Sequence, residues 1–220
     1  MRNIIFDLDG TLVDSLPGID SSLRSACNEV LPGCDIPPLR KFIGAPLPAM
    51  LAAMWPDQDS ATISRLVVEF RRRYQRSGWQ QTLPFEGVAE TLPLLRNAGH
   101  RLFVLTNKPS RTATLILEKL GWLPLFQAVI SLDSSHPPFA CKQDSARFLL
   151  QAIPLDPLRT VMVGDGADDC ESAAACGFRF IAAAYGYGSA ADLCEFRLER
   201  FADLNKYLLG SPAHDSARLF

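Results

Sequence analysis

An apolar run of three residues, Ile4-Ile5-Phe6, ends abruptly at Asp7-Leu8-Asp9-Gly10. Such a run reads as a buried parallel strand stopping at Asp7. Two carboxylates two residues apart then sit at the carboxyl end of that strand, where open α/β sheets place their chemistry. Burying both charges unpartnered is costly, so a cation is expected between them. An Asp-x-Asp alone also fits a turn cap beside a solvated carboxylate. The residues beyond Gly10 decide between a cation site and a turn.

The remaining pattern is an interrupted α/β alternation. After Ser15, Leu16, Ile19, Leu23, Ala26, Cys27 and Val30 recur at helical spacing, and Pro32-Gly33 ends that helix. A Gly/Pro-rich loop over 39–48 precedes a short helix at about 47–55. A longer helix comes next, with Ile63, Leu66, Val67, Phe70 and Tyr74 on its apolar face. Its run Arg71-Arg72-Arg73 is expected to form a solvated face. Residues 16–82 thus read as an all-helical insert returning at Leu83-Pro84-Phe85-Glu86-Gly87-Val88. Strands are expected at 101–105, 128–130, 160–163 and 180–183, with helices between them. This order implies a doubly wound (Rossmann-like) parallel sheet, with residues 1–15 and 83–220 forming the α/β core domain and 16–82 the helical cap domain.

Composition narrows the function classes. At 220 residues and 48% apolar content the chain can bury a real core. A net charge of −2 argues against a general nucleic-acid surface. The N-terminal apolar run is too short for a signal peptide, and no stretch of about 20 apolar residues suggests a membrane span. The six cysteines show no paired metal spacing and read as reduced thiols of a cytoplasmic protein. The absence of Gly-x-x-x-x-Gly-Lys-Ser/Thr rules out a P-loop nucleotide site.

Three further features succeed the carboxylate pair in order. Thr106, with Asn107 and Lys108, comes after the second strand. Lys142 begins a helix after the third. Asp165 ends the fourth, with Asp168 and Asp169 just beyond. Read singly, each has a plain alternative: a strand-ending Thr, a solvated lysine, an Asp that caps a helix. Together with Asp7-Leu-Asp-Gly-Thr-Leu-Val-Asp-Ser15, they resemble the haloacid dehalogenase-like (HAD) hydrolase superfamily. The loop Arg40-Lys-Phe-Ile-Gly-Ala-Pro-Leu47, Pro84-Phe-Glu-Gly-Val88 and Tyr185-Gly-Tyr-Gly188 look like its phosphoglycolate phosphatase-like branch. In one departure, Gln143 succeeds Lys142 where the branch usually has Pro.

The resemblance implies a phosphatase acting on a small phosphorylated metabolite. Asp7 would be the nucleophile and Asp9 the general acid/base. Mg²⁺ would be held by Asp7, the Asp9 backbone carbonyl and Asp165, with Asp169 orienting that shell. Thr106, Asn107 and Lys142 would bind the phosphate, together with Gly10. Arg40 and Gly44 of the cap loop would meet the rest of the substrate. Lys108 is the rival to Lys142 as the active-site cation. Phosphoglycolate, a nucleoside monophosphate and a sugar phosphate all suit the core, and monomer and homodimer both stay open. A dehalogenase would leave Asp9 without a task, and family phosphomutases usually lack the Thr found at position 11. A non-catalytic binding protein on this fold would usually have lost Asp7 or Asp9.

Overall fold

The computed structural model describes residues 1–208. The stretch 209–220 of the expected core domain lies outside the described residues. The chain begins with β1 (Asn3–Phe6) and a two-residue strand β2 (Val13–Asp14), then α1 (Leu16–Val30), α2 (Leu47–Met54) and α3 (Ser60–Arg76). It returns through β3 (Leu83–Pro84) to α4 (Val88–Asn97), β4 (Arg101–Thr106), α5 (Ser110–Lys119), β5 (Phe126–Ser131) and α6 (Lys142–Ala152). Then come β6 (Thr160–Gly164), α7 (Ala167–Ala175), β7 (Arg179–Ala183), α8 (Ala190–Leu193), β8 (Arg197–Leu198) and α9 (Leu204–Leu208).

Six strands form one sheet in the order β5-β4-β1-β6-β7-β8, every neighbouring pair parallel. The first strand is therefore central. The chain builds outward from it on one side through β4 and β5, then crosses back to build the other side. The carboxyl ends of β4, β1 and β6 flank that reversal, where side chains from separate strands can converge. Alternation along the strands feeds two cores. Ile4, Phe6, Val104 and Val163 face one layer, while Ile5, Phe103, Leu105 and Met162 face the other. Both faces are covered, which explains the unbroken apolar runs in the sequence.

The three helices between β2 and β3 have their own apolar cluster, with Leu23, Leu51 and Leu66 wholly buried. Asp59 caps α3 by accepting the Thr62 N–H at 2.7 Å. The arginine run on α3 divides its work. Arg72 and Arg73 form ion pairs with Glu69 on their own helix and Glu29 on α1. Arg71 instead lines the cavity described below. Arg71 and Arg72 are exposed as expected, and Arg73 is only partly so.

Two small features escape periodicity altogether. The antiparallel pair β2–β3 matches Val13 with Pro84 and Asp14 with Leu83, tying together the two connections to the helical insert. The edge strand β8 adds to β7. Neither is long enough to show an alternation. The return of the chain from β1 to β2 depends on Gly10, whose φ is +92°. A Cβ there would lie 2.2 Å from Asp165 Oδ2, and one on Gly186 would lie 2.4 Å from the Asp165 Cβ. Only glycine allows the backbone so close to that carboxylate. Gly10→Ala should therefore cost about 1–3 kcal/mol through backbone strain alone, and more through displacement of Asp165. Chemical denaturation would show this as a lower midpoint. An unchanged midpoint would mean that these two loops move apart without penalty.

Candidate active site

The carboxyl ends of β1, β4 and β6 open into a cavity of about 540 Å³, walled on the far side by α3 and the loop before α2. Its floor carries Asp7, Asp9, Thr106, Asn107, Lys108, Lys142, Asp165, Asp168 and Asp169. Each reaches the floor for a local reason. Asp7 and Asp165 are the first residues beyond β1 and β6, and Thr106 is the last of β4. Asp169 lies in the first turn of α7, where its Oδ2 accepts the Gly166 N–H at 3.0 Å. Lys142 is the first residue of α6.

The centre of the floor is a buried cluster of opposite charges. Ligand atoms of Asp7, Asp165 and Asp169 all lie within 4.8 Å of one another. Lys142 Nζ sits 2.6 Å from Asp7 Oδ1 and 2.6 Å from Asp169 Oδ1, with Asp168 at 3.7 Å. Burial pushes the Asp7 carboxyl well above the ordinary range. The Lys142 ammonium opposes that shift, and Asp169 and Asp165 add to it. Burial likewise pushes Asp169 up to about 7, against the pull of Lys142. Asp165 is also raised by burial, although the backbone N–H groups of Gly188 and Tyr187 donate to its Oδ2 at 2.9 and 2.7 Å. Burial alone would lower the Lys142 ammonium, but Asp169, Asp7 and Asp168 outweigh it and hold it well above its usual value.

One ammonium among three buried carboxylates leaves negative charge in excess, which adds to the effect of burial on Asp7 and Asp169. A divalent cation would relieve it. The available donors are all oxygens, which suits a hard ion such as Mg²⁺. Asp7, Asp165 and Asp169 are the side chains that converge enough to hold one. The family resemblance implied for Asp169 an orienting place behind the ligands. Here Asp169 brings a carboxylate oxygen within 4.8 Å of those of Asp7 and Asp165, while its Oδ1 pairs with Lys142 and its Oδ2 caps α7.

Asp9 stands beside this cluster with different partners. Ser15 Oγ donates to its Oδ1 at 2.5 Å, and Lys108 Nζ lies 2.9 Å from each of its oxygens. Lys108 is itself buried beneath α3, with its ammonium 4.9 Å from the centre of the Tyr74 ring. The choice between Lys142 and Lys108 thus has no single answer: Lys142 reaches Asp7 and Lys108 reaches Asp9. Both lysines come after strand ends, so spacing alone could not assign partners. Ser15 gave no signal of its own beyond its place in the first motif.

The other expected residues divide. Thr106 is buried at the floor, and its Oγ1 accepts the Lys108 N–H at 3.1 Å. The Asn107 amide joins the two parts of the molecule, donating to the Gly44 carbonyl and to Asp168 Oδ2, each at 2.8 Å. Asn107 and Gly44 both line the cavity. Gly10 does not line it; its role here is the close approach to Asp165. Arg40 does not line it either. Its guanidinium donates to the carbonyls of Gly186 at 2.6 Å and Tyr185 at 3.4 Å, and stacks over the Tyr187 ring at 5.6 Å. With its donors turned to carbonyl oxygens, Arg40 ties the cap loop to the Tyr185–Gly188 segment and is not placed to read a substrate anion.

Residues 4–183 match the model of the family described as haloacid dehalogenase-like hydrolase. The chain is 36% identical over 190 residues to the tyrosine-protein kinase PtkA of Mycobacterium tuberculosis, an alignment covering 85% of this chain and 63% of that protein. It therefore spans a little under two thirds of the length of that relative. It is 33% identical over 198 residues to the phosphoglycolate phosphatase of Xylella fastidiosa, covering 87% and 83% of the two chains. Among solved structures, a haloacid dehalogenase-like family hydrolase from Streptococcus pneumoniae superposes with a TM-score of 0.84 at 26% identity, covering 94% of this chain and 98% of that one. On the family match and on these relatives, the chain belongs to the haloacid dehalogenase-like hydrolases.

Proposed function

We propose that this chain is a phosphatase that hydrolyses a small phosphate monoester through a covalent aspartyl-phosphate, with Mg²⁺ as its cofactor. The observation that supports this reading best is the pairing of Asp7 with Lys142 at 2.6 Å, beside Asp165 and Asp169, with Asp9 facing the same cavity. A nucleophile, a separate proton carrier and a cation-binding carboxylate cluster are what monoester hydrolysis needs in one place. The name of the Xylella relative makes phosphoglycolate the first substrate to test. Residues 16–82 would act as the cap, and the β2–β3 pair would join it to the core.

In this reading an Asp7 carboxylate oxygen attacks phosphorus, and the bond from phosphorus to the alcohol oxygen breaks. Asp9 gives its proton to that oxygen as the alcohol leaves. Water then attacks the aspartyl-phosphate and passes a proton back to Asp9, which releases inorganic phosphate and restores Asp7. Lys142 orients Asp7 and meets the negative charge spread over the transferring phosphoryl group. Thr106 and Asn107 offer hydroxyl and amide donors to its oxygens. Lys108 and Ser15 position Asp9. Mg²⁺, held by Asp7, Asp165 and Asp169, would neutralise the phosphate and the carboxylate cluster. The thiols of all six cysteines are free, which supports a reducing, cytoplasmic setting.

A second reading has the mycobacterial relative behind it: transfer to a tyrosine hydroxyl in place of water. Incubation with ATP and a tyrosine-containing protein separates the two. Phosphotyrosine would favour the second reading, and Mg²⁺-dependent phosphate release from monoesters favours the first.

Asp7→Asn should abolish phosphate release, because an amide cannot take up the phosphoryl group and give it back. Appreciable turnover by that variant would remove Asp7 as the nucleophile. Lys142→Ala should lower kcat/KM by about 10²-fold or more for every leaving group. Lys108→Ala should cost most with alkyl phosphates, which need a proton from Asp9, and least with 4-nitrophenyl phosphate, which does not. Equal losses across that series would detach Lys108 from proton transfer. Excess chelator should stop turnover and added Mg²⁺ restore it. Calorimetry should show weaker Mg²⁺ binding to Asp165→Ala.

A further inference from the structure

The cavity has two chemically different halves. Every carboxylate that lines it belongs to the α/β core: Asp7, Asp9, Asp133, Asp165, Asp168 and Asp169. The wall contributed by the helical part is largely apolar, with Ile43, Pro46, Leu47, Met50, Phe70 and Tyr74. Among the described residues that wall holds one cation, Arg71.

The three cations of the cavity are not equivalent. Lys142 is committed to Asp7 and Asp169, and Lys108 to Asp9. Arg71 is exposed and, among the described residues, its side chain forms no ion pair or hydrogen bond. Its neighbours Arg72 and Arg73 have taken Glu69 and Glu29. Helical spacing sets Arg71 beside Gln75, with Phe70 and Tyr74 on the adjoining face, and all four line the cavity. Arg40 is withdrawn onto backbone carbonyls and cannot share the task. An unpaired guanidinium above an apolar wall is complementary to an anion carried on an apolar body. At about 540 Å³ the cavity falls in the range that encloses drug-sized ligands, well beyond a two-carbon acid phosphate.

We propose that Arg71 is a specificity-determining residue. It selects phosphate monoesters whose leaving group has an apolar body, seated on the Leu47–Met50–Phe70–Tyr74 wall, and a second anionic group at its far end. This inference rests on the phosphatase reading and names the substrate class of the same site. A neutral polyol phosphate would leave the guanidinium unused and place hydroxyls against apolar side chains. Phosphoglycolate carries its carboxylate too near the phosphate to use the wall.

The test compares 4-carboxyphenyl phosphate with 4-carbamoylphenyl phosphate, which match in shape and differ in charge. In the presence of Mg²⁺ the unmodified chain should prefer the carboxylate by about 10-fold in kcat/KM, the scale of one charge-assisted contact. Arg71→Met should bring that ratio close to one, Arg71→Lys should keep part of it, and Arg71→Glu should invert it. Phosphoglycolate should be a poorer substrate than 4-carboxyphenyl phosphate. A ratio near one in the unmodified chain, a ratio that survives Arg71→Met, or phosphoglycolate as the better substrate would overturn the proposal. Calorimetric Kd values for 4-carboxybenzylphosphonate and 4-carbamoylbenzylphosphonate give the same comparison without turnover. If no aryl phosphate is hydrolysed, the phosphatase reading fails, and the Kd ratio in the unmodified chain and Arg71→Met still decides the role of Arg71.

Discussion

The structure depends on an electrostatic imbalance kept at the centre of a parallel sheet. Asp7, Asp165 and Asp169 are buried with ligand atoms within 4.8 Å of one another, and among the described residues Lys142 alone is close enough to offset Asp7 and Asp169. Carboxylates so placed repel one another and lose hydration, so burial and mutual repulsion raise them together. A fold tolerates this only where surrounding structure holds the groups in place. Here Asp165 is fixed by two backbone N–H donors from the Tyr185–Gly188 segment, and Asp169 is fixed by capping α7. A divalent cation held among these carboxylates would offset the imbalance.

The order of strands is what permits the convergence. With β1 in the middle and the chain reversing direction of growth beside it, the ends of β4, β1 and β6 lie next to one another. Glycine at positions 10 and 186 lets two loops press against Asp165. The helical insert enters and leaves beside this point through β2 and β3, so its loop before α2 and its helix α3 form the opposite wall. Asn107 then bridges floor and wall by contacting both Asp168 and Gly44. Floor and wall divide the chemistry: charge on the core side, apolar surface and a single guanidinium on the helical side.

Much of this was legible in the chain. Short apolar runs ending at Asp or Thr gave the three strands that carry the site, β1, β4 and β6, and the order of the site residues. Helical periodicity gave α1 and α3, and Gly or Pro marked where most helices stop. Elements of two residues, β2, β3 and β8, escaped because pairing across the fold creates them and no local pattern does. Arg40 was a candidate anion contact in the cap loop, and its guanidinium is turned to backbone carbonyls. Arg71 was read as part of a solvated run, because three adjacent arginines look alike until their neighbours are known.

The sequence by itself determined which residue types stand at strand ends, and so the family and the kind of chemistry the core can support. That information is local: a strand's length and the residue that ends it depend on nearby residues. Only the tertiary structure decided partnership, namely that Lys142 meets Asp7 and Lys108 meets Asp9, that Asp169 stands level with Asp7 and Asp165, and that Arg71 faces the cavity while Arg40 does not. Partnership depends on distances between segments far apart in the chain, such as the 135 residues between Lys142 and Asp7. The packing of sheet and helices sets those distances, and no spacing along the chain encodes them.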